Sequence, residues 1–331
     1  WLGHLEGFRR DIENLKEFWA RLNLSPMGTT VLNGTPWPLN RHGMAKLLGF
    51  EGIIDNAYDA GQIAGTDVAI EAELKLVEPL LHVTQFIQDV MTQYAQPRPW
   101  ILVSATYAST AMPQKRNPGA LIDVRRDANE VLGEISGIIF RAHDLAPGMY
   151  DAKDQRSNAT LLSDAASVFD AFGKVIGLLK VNPDRALEEL NLDWTASQEI
   201  ADQLMLKHGL PFRIGHHMAS AMVSWARAHD VRPSDFPYDE MKALYRKEIE
   251  SEFPDASPDL PMTEAEFHSC LDPKSILEKR QTAGSANPKE TSAMLSEQEA
   301  RIAWYRENTA MARRRVASAH QALADAFDAI R

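Results

Sequence analysis

The strongest constraint on the fold of this chain is a set of long stretches in which apolar residues return at helical spacing, with no convincing strand-like alternation between them. From about Ala60 to Tyr94 the series includes Ile63, Val68, Ile70, Leu74, Val77, Leu80, Leu81, Thr84, Ile87 and Met91. A second series runs from Ala120 to about Ala142 through Leu121, Val124, Val131, Leu132, Ile135, Ile138 and Ile139. A third, from about Ser157 to Leu179, carries Leu161, Leu162, Ala165, Val168, Phe169, Phe172, Val175 and Ile176. Each predicts a long helix, the first buried on much of its surface, and three such helices joined by short polar segments predict an elongated bundle. Pro79 lies inside the first series, where loss of a backbone donor predicts a kink or local bulge. Gln96 to Trp100 ends that helix.

The flanking sequence completes an all-α reading. Residues 2–23 read as a helix, 25–40 as a connection broken by Pro26, Pro36 and Pro38, and 41–48 as a short helix. Beyond Pro183 the helical runs shorten between Pro211, Pro233, Pro237, Pro254, Pro258, Pro261, Pro273 and Pro288. The expected domains are therefore a central long-helix bundle over 1–181, a smaller helical domain over 182–295, and a charge-rich C-terminal helix over 296–331 that returns to the bundle. Internal repeats and low-complexity tracts are absent from the sequence.

Between the first two long helices lies the segment of greatest chemical interest, 104–119. It contains Ser109, Thr110, Met112, Pro113, Lys115, Asn117 and Pro118. Two prolines forbid regular helix and restrict the backbone on either side of Lys115 and Asn117. A hydroxyl, a cation and an amide could then converge on one carboxylate with little freedom left to lose. The competing reading of any such Ser/Lys/Asn loop is an exposed polar connection.

This segment resembles the signature loop of the fumarase/aspartase superfamily, Gly-Ser-Ser-x-Met-Pro-x-Lys-x-Asn-Pro. Ala108 stands at the Gly, Ser109 and Thr110 at the two Ser positions, and Met112, Pro113, Lys115, Asn117 and Pro118 match. Gln114 resembles the argininosuccinate lyase branch, since fumarases usually carry Gly there. Further stretches similar to that branch occur in the family's order: Ser25-Pro26-Met27-Gly28, Asn33-Gly34-Thr35-Pro36, Leu47-Leu48-Gly49-Phe50, Gly209-Leu210-Pro211-Phe212-Arg213 with His216, and Leu271-Asp272-Pro273 with Arg280 and Gly284.

The resemblance implies a central bundle with smaller helical end domains, a homotetramer with active sites shared between subunits, and a carbon–nitrogen lyase that releases fumarate from an N-substituted aspartate. It implies Ser109 as the catalytic base and Lys115 as a catalytic cation. Thr110, Met112, Asn117, Tyr150 and Gln155 would contact the substrate. Lys115 and Asn117 suit the extra negative charge that a carboxylate gains when the neighbouring carbon is deprotonated. The same electropositive loop would lower the Ser109 pKa. For Ser109 the structural alternative is an N-cap or turn hydroxyl, for Lys115 a solvated surface cation, and Thr110 divides evenly between binding substrate and shaping the loop.

Departures from the family pattern point to the amine side. Argininosuccinate lyases carry a Tyr, a Gln five residues on and a Lys eight residues on; Tyr150 and Gln155 keep the spacing, but Asn158 replaces the Lys. A neutral amide cannot replace a cation toward a carboxylate. Tyr150 also has a purely structural reading as an interfacial ring. Where the family has Ser-Asp-Arg-Asp this chain has Ala64-Gly65-Thr66-Asp67, which leaves Asp67 without the expected Arg. Both changes imply another N-substituted aspartate, as in the relative ethylenediamine-disuccinate lyase, with argininosuccinate lyase proper as the alternative. A third alternative is a silent structural homologue or fragment, as the family's crystallins exemplify. It is favoured because the family's two upstream conserved segments, one with Ser-Arg-Asn and one with Thr-His, would precede Trp1. His216 and His217 read as structural rather than catalytic.

Composition limits the remaining classes. A net charge of −11 over 331 residues lacks the basic face that nucleic acid needs, so an anionic small molecule would have to be held by local cations. The single cysteine, Cys270, allows no internal disulfide and reads as structural. The sequence suggests no metal site and no cofactor. No apolar run reaches membrane-spanning length and no signal-peptide pattern opens the chain, so no membrane association and a cytoplasmic location are expected.

Overall fold

The computed structural model describes residues 1–104, 111–147 and 155–330. The protein is helical almost throughout, and among the described residues strands are limited to segments of two or three residues. The chain divides into two compact units, residues 1–180 with 298–331, and residues 181–297.

In the first unit α1 (Leu2–Leu22) is followed by the irregular stretch 23–40 and by α2 (Arg41–Leu47). Two short parallel strands, β1 (Leu24–Ser25) and β2 (Gly52–Ile53), pair Leu24 with Gly52 and Ser25 with Ile53. Arg41 ties this region together, its guanidinium donating to the carbonyls of Met27, Ile54 and Asp55 at 3.0, 2.7 and 3.2 Å. A π-type turn, Asp59–Ile63, leads into α3 (Ala64–Leu74), and α4 (Val77–Tyr94) follows. Strand β3 (Ile101–Val103) precedes α5 (Gly119–Ala142) and α6 (Gln155–Leu178).

The long-helix core follows from residue spacing. Leu80, Val83, Ile87, Val90 and Tyr94 of α4 face Leu121, Val124, Ala128, Val131, Ile135 and Ile138 of α5, and Leu161, Ala165, Val168, Phe172 and Val175 of α6 complete the cluster. These positions alternate steps of three and four, which keeps one seam continuous over several turns and suits closely aligned helices. Several apolar residues of the same patterns fall off this seam: Leu81, Ile139, Leu162 and Ile176 are exposed, as are Ile122 and Phe140.

The reading of residues 60–94 as one helix kinked at Pro79 is corrected. The helix is interrupted at Lys75 and Leu76, and Pro79 is the third residue of α4. Backbone N–H groups of a first turn have no partner within their helix, so proline there forfeits no hydrogen bond and causes no kink. The final helix is also longer than expected, since α13 spans Pro288–Asp328 rather than beginning at Ser296. Asn287 accepts from Lys289 N at 2.8 Å through its side chain, and Pro288 serves as the first helical residue rather than a breaker.

The second unit is a cluster of shorter helices: α7 (Pro183–Leu190), α8 (Ser197–His208), α9 (Phe212–His229), α10 (Tyr238–Glu252), α11 (Glu264–Leu271) and α12 (Pro273–Lys279). Ile200 and Leu204 of α8, Met218 and Met222 of α9, Met241 and Tyr245 of α10 and Phe267 of α11 form its core. Cys270 is buried here, and burial pushes its thiol up to about 11, which keeps it an unreactive thiol. Among the described residues no helix is long and apolar enough to cross a membrane, and no group of three or more His, Cys, Asp or Glu side chains is placed to hold a metal ion.

Candidate functional site

The candidate site lies where the last turn of α4 meets the segment leading into α5. Residues 105–110 are outside the described residues, and Ser109 and Thr110 fall there; so does Tyr150. Gln155 is the first residue of α6. Met112, Lys115 and Asn117 are described, and the chain around them is held at several points.

On the N-terminal side, Trp100 Nε1 donates to Gln93 Oε1 at 2.8 Å, tying the return strand to the end of α4. Ser104 donates to Leu178 O through both its backbone N–H (2.8 Å) and its hydroxyl (3.0 Å). On the C-terminal side, Lys115 N donates to Met112 O at 3.0 Å. That bond closes a turn over Met112-Pro113-Gln114-Lys115, with proline at the position its fixed φ favours. Gly119 N then donates to Asn117 O at 2.9 Å as α5 begins.

The central attachment was not foreseen from the sequence. Tyr94, only 7% exposed, donates from its hydroxyl to Arg116 O at 3.1 Å. Its ring also receives the Arg116 guanidinium, 5.7 Å from the ring centroid. Burial raises the Tyr94 hydroxyl above its ordinary value, the nearby Arg116 charge opposing in part, so it stays a donor at neutral pH. The available signal was an aromatic residue with a polar tip closing an apolar helix just before the loop.

The electrostatics of the segment favour an anion. Lys115 and Arg116 are consecutive exposed cations in a chain of charge −11, and neither is ion-paired to a carboxylate among the described residues. No acidic residue occupies the first turn of α5, so the positive end of its dipole is not neutralised locally. A carboxylate beside Lys115 and Asn117 would meet a cation, an amide and the field of a 24-residue helix.

The positions that depart from the family pattern lie elsewhere in the first unit. Thr66 and Asp67 line a cavity of about 220 Å³ with Gln62, Ile70 and Ala142. Asn158 is buried in α6, where an amide costs far less to desolvate than the ammonium it replaces. In the second unit His216 stacks on Phe212 at 6.2 Å and His217 meets Phe253 edge-on at 5.7 Å.

A profile described as the argininosuccinate lyase C-terminal region matches residues 194–278. An argininosuccinate lyase of Burkholderia mallei (strain SAVP1) is 30% identical over 249 residues, covering 73% of this chain and 52% of that protein. The argininosuccinate lyase of Bacillus subtilis (strain 168) is 28% identical over 298 residues, covering 89% of this chain and 61% of that protein. Among solved structures, a variant of EDDS lyase with bound fumarate superposes with a TM-score of 0.87 at 23% identity, over 98% of this chain and 64% of that one. The chain is thus similar to the argininosuccinate-lyase-like group of the fumarase/aspartase superfamily over part of those proteins' length.

The fold likeness extends to the long-helix core. The chain spans about half the length of the curated relatives it matches. A class II fumarase from Schistosoma mansoni shares the fold more distantly, with a TM-score of 0.56 at 13% identity over 77% of this chain and 58% of that one.

Proposed function

We propose that this chain contributes the signature-loop portion of a carbon–nitrogen lyase that eliminates an amine from an N-substituted aspartate and releases fumarate. The observation that carries the reading is the segment Met112–Gly119. It sets Lys115 and Asn117 two residues apart on an anchored backbone, without a competing carboxylate on Lys115 among the described residues and next to the positive end of α5.

In this reading Ser109 Oγ, as the alkoxide, takes a proton from the carbon next to one substrate carboxylate. The electron pair left behind spreads into that carboxylate, whose added negative charge Lys115 and Asn117 stabilise. The pair then forms the carbon–carbon double bond as the carbon–nitrogen bond breaks, and the amine departs with the electrons of that bond and takes up a proton from water. Each donor aimed at the developing charge would supply about 3 to 4 kcal/mol, as judged from the effect of removing such groups elsewhere. Thr110 and Met112 would complete the carboxylate pocket, with Tyr150 and Gln155 nearer the amine.

Two features favour an amine other than arginine: the buried amide of Asn158 where the related enzymes carry a cation, and Thr66-Asp67 without the expected Arg. Argininosuccinate lyase proper is the second reading, favoured by the relatives at 28 to 30% identity. We also propose that the protein acts as a homotetramer. The exposed apolar residues Leu81, Ile122, Ile139, Phe140, Leu162 and Ile176 on α4, α5 and α6 support this, because a solitary unit would leave them in water.

The test is fumarate appearance, followed by ultraviolet absorbance, with a panel of N-substituted aspartates that includes argininosuccinate. Turnover that is lost in Ser109→Ala and in Lys115→Met supports the lyase reading, and the active panel member names the amine. Turnover unaffected by either substitution overturns the assigned roles. No turnover with any member, together with no fumarate binding, favours the silent homologue.

A further inference from the structure

The roles of Lys115 and Asn117 require that both side chains face one ligand, and the residue between them explains how that is arranged. Arg116 lies between them, with its guanidinium over the Tyr94 ring and its carbonyl accepting from the Tyr94 hydroxyl. Fixing that residue at two points narrows the directions open to the side chains on either side of it.

We propose that Tyr94 is a positioning residue for the signature loop, restricting where Lys115 and Asn117 can reach by fixing Arg116 between them at both its carbonyl and its guanidinium. This rests on the reading of Lys115 and Asn117 as carboxylate binders. Three observations carry it. The Tyr94 hydroxyl is directed at the carbonyl of Arg116, the residue between the two candidate ligands. The ring is buried in the α4–α5–α6 core, so its position is set by rigid packing rather than by the loop. Neighbouring Gln93, in the same turn of α4, holds the other side of the loop through Trp100, so one helix end fixes both flanks of residues 105–110.

The chemistry needs such a fixed point. Lys115 and Arg116 are exposed, and an exposed cation on an unanchored loop would sample many orientations. Preorganisation removes that cost before the ligand arrives. A hydroxyl is required for the carbonyl bond, whereas any aromatic ring would serve the guanidinium. The two functions of Tyr94 are therefore separable by mutation.

Tyr94→Phe keeps the ring and removes the hydrogen bond; Tyr94→Leu removes both. The measurements are fumarate affinity by calorimetry, thermal unfolding, and backbone amide hydrogen exchange across Met112–Gly119 and across α5. Loss of one hydrogen bond of ordinary strength predicts fumarate binding weakened about tenfold in Tyr94→Phe, and by more in Tyr94→Leu. Exchange at Lys115–Gly119 should quicken by a similar factor while the α5 core amides stay protected. A merely structural tyrosine would lower the unfolding midpoint and quicken exchange in α5 without a selective effect on affinity, and that result overturns the proposal. A Lys115→Met control separates it from the underlying reading. If fumarate binding depends on Lys115 but not on the Tyr94 hydroxyl, the positioning role alone falls. If the unaltered chain binds no fumarate, or binds it independently of Lys115, both fall.

Discussion

Glu73→Gln should remove one large pH-dependent contribution to the stability of the first unit between mildly acidic and mildly alkaline conditions. Glu73 lies at the end of α3, 1% exposed, in a helix that packs on α5 and α6. Burial pushes its carboxyl from an ordinary value of 4.5 up to about 7, with the charge of Arg141 pulling in the other direction. Below pH 4.5 the group is protonated in folded and unfolded chains alike and contributes no pH dependence. Between 4.5 and about 7 the folded chain holds a proton that the unfolded chain has released, so stability falls as pH rises. Above about 7 the full cost of the buried carboxylate is present. The shift multiplied by 1.36 kcal/mol per unit gives about 3 kcal/mol, a large share of the stability of a typical domain. Glutamine copies the shape of the protonated acid but cannot ionise. The variant should resemble the unaltered chain near pH 5 and exceed it by up to about 3 kcal/mol near pH 8. Because the protein has two units, the assay is native-state hydrogen exchange of α5 core amides, compared at the two pH values. Parallel pH profiles for the two proteins would refute the reasoning, since every other titrating group is common to both.

Two close backbone approaches give further tests. A Cβ on Gly61 would lie 1.9 Å from Val31 O, so Gly61→Ala must displace the π-type turn from the 28–34 loop and break the 2.9 Å bond from Gln62 Nε2 to the same carbonyl. A loss of about 3 kcal/mol or more, read by urea unfolding, is expected, and an unchanged midpoint would show that the approach is not maintained in solution. In the second unit a Cβ on Gly215 would meet Ala201 Cα at 2.6 Å, where α8 and α9 cross. Gly215→Ala should cost about 1 to 3 kcal/mol and lower protection in α8 and α9 while leaving α5 amides unaltered.

Which features could be read from the residues depended on whether the deciding partner was near in sequence. The α5 and α6 seams were legible because their three-and-four spacing needs no knowledge of what they face. The same spacing concealed the break at Lys75 and Leu76: Ile70 packs against the core cluster before the break and Leu80 lies within it after, so the apolar rhythm continues through a change of helix. Glu73 is the residue that departs from that rhythm, a carboxylate in the last turn of α3 at a fully buried position. Its charge could have marked the helix end, but charge alone does not distinguish a solvated face from a buried one.

The same limit explains what was and was not visible at the candidate site. Lys115 and Asn117 stood out because proline brackets them and a hydroxyl, a cation and an amide fall together within a few residues. Tyr94 did not, because its hydroxyl meets a carbonyl 22 residues later across a loop whose path the sequence cannot give. Read from sequence, its ring belongs to the apolar seam of α4, and that reading is accurate for the ring. The hydroxyl adds the link between core and loop: packing that stabilises α4 also fixes a point in the segment that would bind an anion. In a chain whose net charge opposes anion binding, affinity must come from a few cations held in place rather than from the overall field, which gives rigid anchoring of this short segment a direct bearing on function.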